Sequence, residues 1–269
     1  MGAEDKTPRK ITRREALSIL GVASVAGLGL IAGCGGDDDA ATATPTRTTG
    51  GTGTATGTAG TVTAVATATP APTTAAAITC VVTPDETEGP YFVDEMLNRS
   101  DIRPDPTSGD VTAGIPLALT IRVYKVGTSC EPLAGALVDI WHCNADGLYS
   151  DVSANNTVGQ KFLRGYQLTD DSGVATFTTM YPGWYQGRTV HIHFKIRTFD
   201  GSSTTYEFTS QLFFDDSLSD QVYASAPYNA RGNRGTLNSN DNIYDDMLLM
   251  NVAPSGNGYA STFDVGLQM

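Results

Sequence analysis

The sequence predicts an all-β domain, an antiparallel β-sandwich with short helices and long loops. Two observations support this prediction. Apolar and polar residues alternate along several short segments, which is the pattern of a half-buried strand. Turns rich in Gly and Asp separate these segments at regular intervals, which is typical of a sandwich.

The clearest strand is segment 117–126, which alternates as Leu-Ala-Leu-Thr-Ile-Arg-Val-Tyr-Lys-Val and leads into a turn over 127–132. Segments 166–168 and 174–179 flank the turn Asp170-Asp171-Ser172-Gly173, which predicts a β-hairpin. The other expected elements are strands over 136–141, 189–198 and 206–214, and short helices over 215–224 and 243–250.

Residues 1–34 have the features of an export signal. A basic segment precedes an apolar run over 17–32 that is short for a membrane span. The pair Arg13-Arg14 resembles a twin-arginine signal. The run ends in Gly33-Cys34, which resembles a lipoprotein processing site, so Cys34 is expected to carry a lipid anchor to a membrane. We therefore expect an exported lipoprotein on the extracytoplasmic side of a bacterial envelope, the alternative being an ordinary secretory signal with an incidental cysteine.

Residues 35–77 are mostly Thr, Ala, Gly and Pro, a composition that buries no core, so a disordered tether is expected. Residues 78–269 are long enough for one domain with a sizeable core. The net charge is −12, and because residues 1–33 hold five basic and three acidic side chains, the rest holds 12 basic and 26 acidic ones. Such an acidic surface disfavours nucleic acid as a partner.

Three cysteines lie in the expected domain: Cys80, Cys130 and Cys143. In an exported protein a disulfide is expected, and an odd number leaves one thiol free. Cys130 and Cys143 lie on either side of one expected strand, too far apart to pair with each other. Cys80 is therefore expected to bond to one of the two, and the sequence leaves the choice open.

The motif His191-Ile192-His193 is the most informative one for chemistry, and it contains two of the three histidines. Alternate side chains of a strand project from the same face, so both imidazoles are expected to lie side by side. Such a pair can bind a metal ion, although two polar residues on a solvated strand face are the ordinary explanation. The nearby Tyr185 favours a metal site, because imidazoles and phenolate oxygens together suit ferric iron. Arg188 lies in the same short stretch.

Five segments carry a resemblance to a known family. They read ETEGPYF at 86–92, DIWHCNADGLY at 139–149, GYQLTDDSG at 165–173, PGWYQGRTVHIH at 182–193 and SQLFF at 210–214. Together they resemble the intradiol ring-cleavage dioxygenases, non-haem Fe(III) enzymes related to catechol 1,2- and protocatechuate 3,4-dioxygenase. The order Tyr, Tyr, Arg-x-x-His-x-His is the specific part of the match.

The resemblance implies a set of iron ligands, which in this family are two tyrosinates and two histidines. The matching residues are Tyr149, Tyr185, His191 and His193. Tyr149 matches the tyrosinate that stays bound, and Tyr185 matches the one that leaves when substrate arrives. Tyr181, four residues before Tyr185, is the alternative candidate for that ligand.

Other positions match residues around the family's substrate. Arg188 matches the arginine beside the carbon under attack, and Gln211 matches a glutamine near the pocket. Tyr91 lies in the segment that lines the substrate mouth, and Trp184 is expected to be a pocket wall. His142, next to Trp141, is expected to be structural.

The resemblance implies Fe(III)-dependent cleavage of a catechol-type diol by O2 to a cis,cis-muconate-type dicarboxylate. The expected partners are a small aromatic diol and O2. One alternative is a non-catalytic, lipid-tethered β-sandwich that binds aromatic or carbohydrate ligands, and it predicts that a metal ligand is missing. A second alternative is a zinc hydrolase, although zinc sites favour His, Cys or carboxylate ligands over paired tyrosinates.

Overall fold

The computed structural model describes residues 81–127 and 129–269, and these fold as two packed sheets. The strands are β1 Pro116–Lys125, β2 Glu131–Pro132, β3 Leu137–Trp141, β4 Arg164–Leu168, β5 Val174–Met180, β6 His191–Asp200, β7 Ser203–Phe213, β8 Val252–Ser255 and β9 Gly258–Leu267. One α-helix, α1, spans Asp216–Tyr223. Short 3-10 helices cover Ser153–Asn155, Tyr228–Arg231, Asn238–Asn240 and Asp246–Leu248. The all-β sandwich prediction is confirmed.

Several expectations concern residues outside this part of the chain. The export signal, Cys34, the tether over 35–77 and Cys80 all lie outside the described residues. Within the described ranges, no helix is both long enough and apolar enough to cross a membrane.

The two sheets differ in how their strands pair. One sheet has the order β2-β1-β9-β8, with β5 also paired to β1. The other has the order β4-β3-β6-β7 and is antiparallel throughout. β1 and β9 are parallel, so the first sheet is mixed. Parallel neighbours need a long crossover connection, and the chain between β1 and β9 supplies one by building the other sheet.

The main core lies between the sheets. Alternate residues of β1 point inward and are almost fully buried, among them Leu117 and Ile121. From the opposite sheet, Ile192, Phe194 and Ile196 of β6 belong to the same apolar cluster. Burial of each such side chain contributes roughly 1.5–3 kcal/mol of hydrophobic stabilisation, so this layer holds the sheets together.

The other face of β6 is buried as well, under loops rather than under a sheet. Its side chains are polar or charged: His191, His193, Lys195 and Arg197. Trp141 of β3 and Gln211 of β7 are the cross-strand neighbours of His193. Lys195 lies over the ring of Phe92, 4.6 Å from its centroid, which shows how the loop before β1 covers this face. Because side chains alternate along β6, one face of the strand packs in the apolar core between the sheets. The other face lies in a polar region that loops cover.

The prediction of a β-hairpin over 166–179 is wrong. β4 pairs with β3 in the four-stranded sheet, whereas β5 pairs with β1 in the other. The turn itself forms, because Gly173 donates its N–H to Asp170 O over 2.9 Å and adopts a φ of 76°. Turn chemistry is local, and it does not determine whether the next strand returns to the same sheet or crosses to the opposite one.

The expected helices are confirmed in part. α1 lies inside the expected segment 215–224, and the Asp215 carboxylate caps it by accepting from Leu218 N over 2.9 Å. Segment 243–250 contains only the 3-10 turn Asp246–Leu248, which Asp245 caps. β8 and β9 were not expected, since their sequence alternates only in part.

The structure excludes one of the two candidate disulfide partners of Cys80. Cys143 is free and buried, so it is not the partner of Cys80. Cys130 is disulfide-bonded.

His142 connects the two sheets. It follows β3 directly, and its Nε2 lies 2.6 Å from Thr179 Oγ1 on β5 of the opposite sheet. Its Nδ1 lies 2.9 Å from Cys143 O. A carbonyl only accepts, so Nδ1 carries the hydrogen and Nε2 accepts from the threonine hydroxyl. Burial lowers the pKa of His142 to about 4, so the neutral ring is the stable form in this core.

We expect His142 to make the fold sensitive to acid. Its pKa lies below the ordinary value of 6.5, so the unfolded chain binds this proton more tightly than the folded one. The resulting stabilisation is fully present above about pH 6.5 and is lost as the pH falls towards 4, about 3 kcal/mol in total. His142→Gln should be less stable than the parent at neutral pH, and its free energy of unfolding should approach the parent's in acid. Urea titrations of both metal-free proteins measure this, and a gap that is constant with pH would contradict it.

Candidate metal centre

Four donor side chains converge on the loop-covered face of the four-stranded sheet. His191 and His193 begin β6, and their Nε2 atoms lie 3.1 Å apart. Tyr149, from the loop after β3, places its hydroxyl 3.3 Å from His191 Nε2. Tyr185, from the loop before β6, places its hydroxyl 3.2 Å from the same atom. The structure therefore brings together the four residues expected as ligands.

Hydrogen bonds fix the loop that carries Tyr149. Its backbone N–H donates to Asn155 Oδ1 over 2.9 Å, and its carbonyl accepts from Thr157 Oγ1 over 2.5 Å. The carbonyl of the next residue, Ser150, accepts from the buried Arg164 Nη2 over 2.6 Å. Tyr149 is 1% exposed, so this residue is held through both its backbone and its ring.

The loop that carries Tyr185 depends on a close backbone approach. Gly183 donates its N–H to Asn144 O over 3.2 Å, and a Cβ at this glycine would lie 2.3 Å from the same oxygen. Any larger residue would push the loop outward. Tyr185 itself is only half-buried, so of the two phenols it is the one that has room to move.

The protonation of His191 indicates what the four groups can hold. Its Nδ1 lies 2.7 Å from Thr189 O, which only accepts, so Nδ1 carries the hydrogen and Nε2 presents a lone pair. Two phenol oxygens and His193 Nε2 surround that single lone pair. One lone pair cannot satisfy three neighbours by hydrogen bonding, whereas a cation among them would bind all four groups.

The donor types narrow the choice of cation. Within 81–127 and 129–269, no group of three or more His, Cys, Asp and Glu side chains is placed to hold a metal. The protein groups that join the two imidazoles at this point are the phenol oxygens. Structural and catalytic zinc sites use His, Cys and carboxylate ligands, whereas imidazoles suit iron, and phenolates add hard, anionic oxygens. The residues present fit iron.

Burial lowers the pKa values of the imidazoles and raises those of the phenols. Desolvation lowers the pKa of His191 to about 3, with the nearby Arg188 charge adding to the effect, and it holds the pKa of His193 well below its usual range. Both rings are therefore neutral and ready to coordinate. Desolvation raises the pKa of Tyr185 to about 12 and that of Tyr149 well above its usual range. The phenols should ionise here when a cation compensates their charge, so metal binding should release protons.

Aromatic rings support the donors from outside. Trp141 stacks on His193, with centroids 4.9 Å apart and planes 6° apart. Tyr91, predicted to line the substrate mouth, stacks on Tyr149 at 4.6 Å and meets Tyr185 edge-on at 6.0 Å. Trp184 is placed differently. Its ring lies under the Arg231 guanidinium at 4.5 Å, and none of its ring contacts in the described part of the chain is to the four donors.

Arg188 and Gln211 are joined beside the donors. Arg188 Nη2 donates to Gln211 Oε1 over 2.5 Å, and Gln211 Nε2 donates to Thr87 O over 2.9 Å. Gln211 is also the cross-strand neighbour of His193. The positive charge of Arg188 opposes the burial effect on Tyr185 by lowering its pKa. This expected pair therefore adds a fixed positive charge to the site.

Tyr181 does not lie at the centre. Its hydroxyl lies 2.8 Å from Ser219 Oγ, and its ring packs 4.4 Å from Phe214 in the main core. Its position excludes it as the alternative ligand.

Some residues at the centre were missed in the sequence. Trp141 could have been found from the strand alternation, because it shares a face of the sheet with His193. Thr189 and Asp241 carry no local signal. Asp241 contacts Arg188 from 53 positions away, and only the folded chain shows that contact.

The family model and two of the solved structures that match this chain are described as dioxygenases. A family model described as Dioxygenase matches residues 87–239. An intradiol ring-cleavage dioxygenase from Tetranychus urticae is 31% identical with a TM-score of 0.61, over 70% of this chain and 95% of that one. The dioxygenase domain of a dioxygenase carbohydrate-binding protein fusion from Streptomyces sp. SirexAA-E is 32% identical with a TM-score of 0.51, over 70% and 99%.

Curated relatives match over a shorter stretch. Catechol 1,2-dioxygenase 1 of Acinetobacter lwoffii is 27% identical over 160 residues, which is 50% of this chain and 49% of that protein. The chain thus spans about half the length of the curated relatives it matches, 49% and 45% for the first two.

Removing one donor should abolish tight metal binding. Tyr149→Phe keeps the ring but deletes the oxygen, so its affinity for iron should fall by more than the roughly 10–100-fold typical of residues outside the ligand shell. Tyr181→Phe is the matched control, and it should lose about 1 kcal/mol of stability without losing metal. Competition with a chelator of known affinity measures both. Equal iron affinities in the two variants would show that Tyr149 is not a ligand.

Proposed function

The chain belongs to the intradiol ring-cleavage dioxygenase family, and on that premise we propose that it binds Fe(III) and cleaves a catechol-type diol with O2. The bond broken joins the two hydroxyl-bearing carbons, and the product is a cis,cis-muconate-type dicarboxylate. The observation that carries the proposal is the convergence of two phenol oxygens and two imidazole nitrogens on one point.

The donor set supports the ferric state. Two anionic phenolates stabilise the higher charge of the oxidised ion, and the neutral imidazoles complete the set. Bound iron would activate the diol towards O2. The four ligands are Tyr149, Tyr185, His191 and His193.

The two tyrosines have different tasks because their surroundings differ. Tyr149 is buried under Tyr91 and has little room to leave. Tyr185 is half-buried, and its pKa is about 12 in the absence of a cation. With a pKa raised in this way, its phenolate would be a strong base wherever no cation holds it. A diol that binds through both oxygens must lose two protons, and Tyr185 is placed to take one of them.

Arg188 supplies the charge that favours the reaction. Its guanidinium is mostly buried, and it is held by Gln211 beside the donors. In such a low-dielectric site, a fixed positive charge stabilises negative charge that develops on the diol and on oxygen. Tyr91 and the donor rings form an aromatic wall that suits a flat substrate and excludes water from one side.

Labelled oxygen tests the reaction directly. Iron-loaded protein given catechol under ¹⁸O2 should consume equimolar O2 and yield a dicarboxylate labelled in both new carboxyl groups. Tyr185→Phe should lower turnover by about 100-fold or more if its phenolate acts as the base, whereas Tyr181→Phe should not. A quinone product with release of hydrogen peroxide would contradict intradiol cleavage. Binding of catechol without turnover would favour the non-catalytic β-sandwich.

We also propose that the domain works outside the cytoplasm, tethered by a lipid on Cys34. The support is the Arg13-Arg14 pair and the Gly33-Cys34 junction, together with the disulfide at Cys130, since disulfides persist in oxidising compartments. A tether of residues 35–77 would let the domain reach small diols near the membrane surface.

Cys34→Ala tests the anchor. When the full chain is expressed in a bacterium that processes lipoproteins, the parent should take up labelled fatty acid and sediment with membranes. The variant should do neither, while its iron content stays the same. Incorporation of fatty acid into the variant, or a parent that is free of lipid, would contradict the proposal.

A further inference from the structure

We propose that Asp241 is a positioning residue for this centre. It sets the orientation of Arg188 and anchors Thr189, whose carbonyl orients His191. The inference rests on the proposed function, in which Arg188 stabilises charge on the diol. Asp241 follows the end of the family match at residue 239, and its carboxylate makes no hydrogen bond to the four donors.

Asp241 is itself held firmly. Its side chain is 2% exposed. Oδ2 accepts from Arg188 Nε over 2.9 Å and from Thr189 N over 2.8 Å. Oδ1 accepts from Ile243 N over 2.9 Å. A buried carboxylate with three such bonds has one orientation, because each bond is charge-assisted and loss of any of them leaves a buried group unpaired.

Two bonds at different atoms fix the plane of the Arg188 guanidinium. Asp241 holds Nε, and Gln211 holds Nη2. A guanidinium held at one atom can turn about that contact, whereas one held at two atoms cannot. The Nη1 hydrogens make no hydrogen bond within the described residues, so they are free to donate to a ligand. Without Asp241, Gln211 alone would not keep Nη1 aimed in one direction.

Asp241 also influences the centre through Thr189. Its N–H donates to Asp241, and its hydroxyl donates to Asn238 Oδ1 over 2.6 Å. Its carbonyl accepts from His191 Nδ1, which is the bond that leaves Nε2 free to coordinate. Loss of a group that orients a ligand histidine in this way typically lowers metal affinity or activity by about 10–100-fold. Asp241 therefore supports one ligand as well as the arginine.

The experiment compares four variants of the full, iron-loaded protein. Asp241→Asn keeps the shape of the side chain and removes its charge. Arg188→Gln removes the guanidinium, and the double variant combines both changes. Asp264→Asn is the matched control, because Asp264 forms a two-bond pair with Arg122, at 2.5 and 2.7 Å, on the other sheet. Thermal unfolding of each variant reports any general loss of stability.

If Asp241 acts through Arg188, Asp241→Asn should lower kcat by about 10–100-fold, the usual range for a supporting residue. KM should change little, because the guanidinium acts on charge that develops during the reaction. In the Arg188→Gln background the same change should lower kcat by a smaller factor, because only its effect through Thr189 remains. Asp264→Asn should match the parent. An unchanged kcat in Asp241→Asn, or the full loss repeated in the Arg188→Gln background, would overturn the proposal.

A second readout does not require turnover, and it uses the metal-free protein because ferric iron broadens resonances close to it. With ¹⁵N-arginine labelling, the Nε–H resonance of Arg188 is identified by its disappearance in Arg188→Gln. In Asp241→Asn it should move towards the position of exposed arginines and exchange faster with water, whereas Asp264→Asn should leave it in place. If the parent does not cleave catechol, the proposed function fails, and this resonance still decides the role of Asp241. An unmoved resonance in Asp241→Asn would overturn that role.

Discussion

Two phenols and two imidazoles converge on one point under the loops that cover the four-stranded sheet, and the need to satisfy these polar groups is the constraint that governs the structure around them. His191 presents one lone pair to three neighbours, so hydrogen bonds to His191 cannot satisfy all three. Burial keeps the imidazoles neutral and opposes ionisation of the phenols. A cation would accept a lone pair from each group and compensate the phenolate charge. Metal binding would therefore make this arrangement of polar groups favourable.

The fold meets this constraint by alternation along a single strand. β6 directs Ile192 and Phe194 into the main core and His191 and His193 to the opposite face. The core therefore fixes the position of the imidazoles, because a one-residue slip of the strand would turn the imidazoles into the apolar core and the apolar side chains onto the polar face. The phenols come from loops, and Tyr149 is buried whereas Tyr185 is half-buried. Two imidazoles fixed by a strand, one buried phenol and one half-buried phenol suit the proposed centre, in which one ligand must give way to substrate.

The parts that could be predicted from the sequence are those set by local chemistry. Alternation located β1 and β6, and the His-x-His spacing placed both imidazoles on one face. The family resemblance supplied the two tyrosines, which lie 36 residues apart in the chain and meet only in space. The hairpin over 166–179 was wrong because two strands around a tight turn can join different sheets. The contact between Arg188 and Asp241 could not be predicted, since nothing near either residue signals the other.

The proposed function makes this face of the sheet a ferric tyrosinate site that binds a diol. The visible spectrum of the metal-free protein during titration with Fe(III), followed by anaerobic addition of catechol, tests this. Because phenolate bound to ferric iron absorbs visible light strongly, we expect a band that saturates at one iron per protein and moves to longer wavelength when catechol binds. A protein that binds iron and stays colourless, or a band that catechol does not change, would contradict the proposed function.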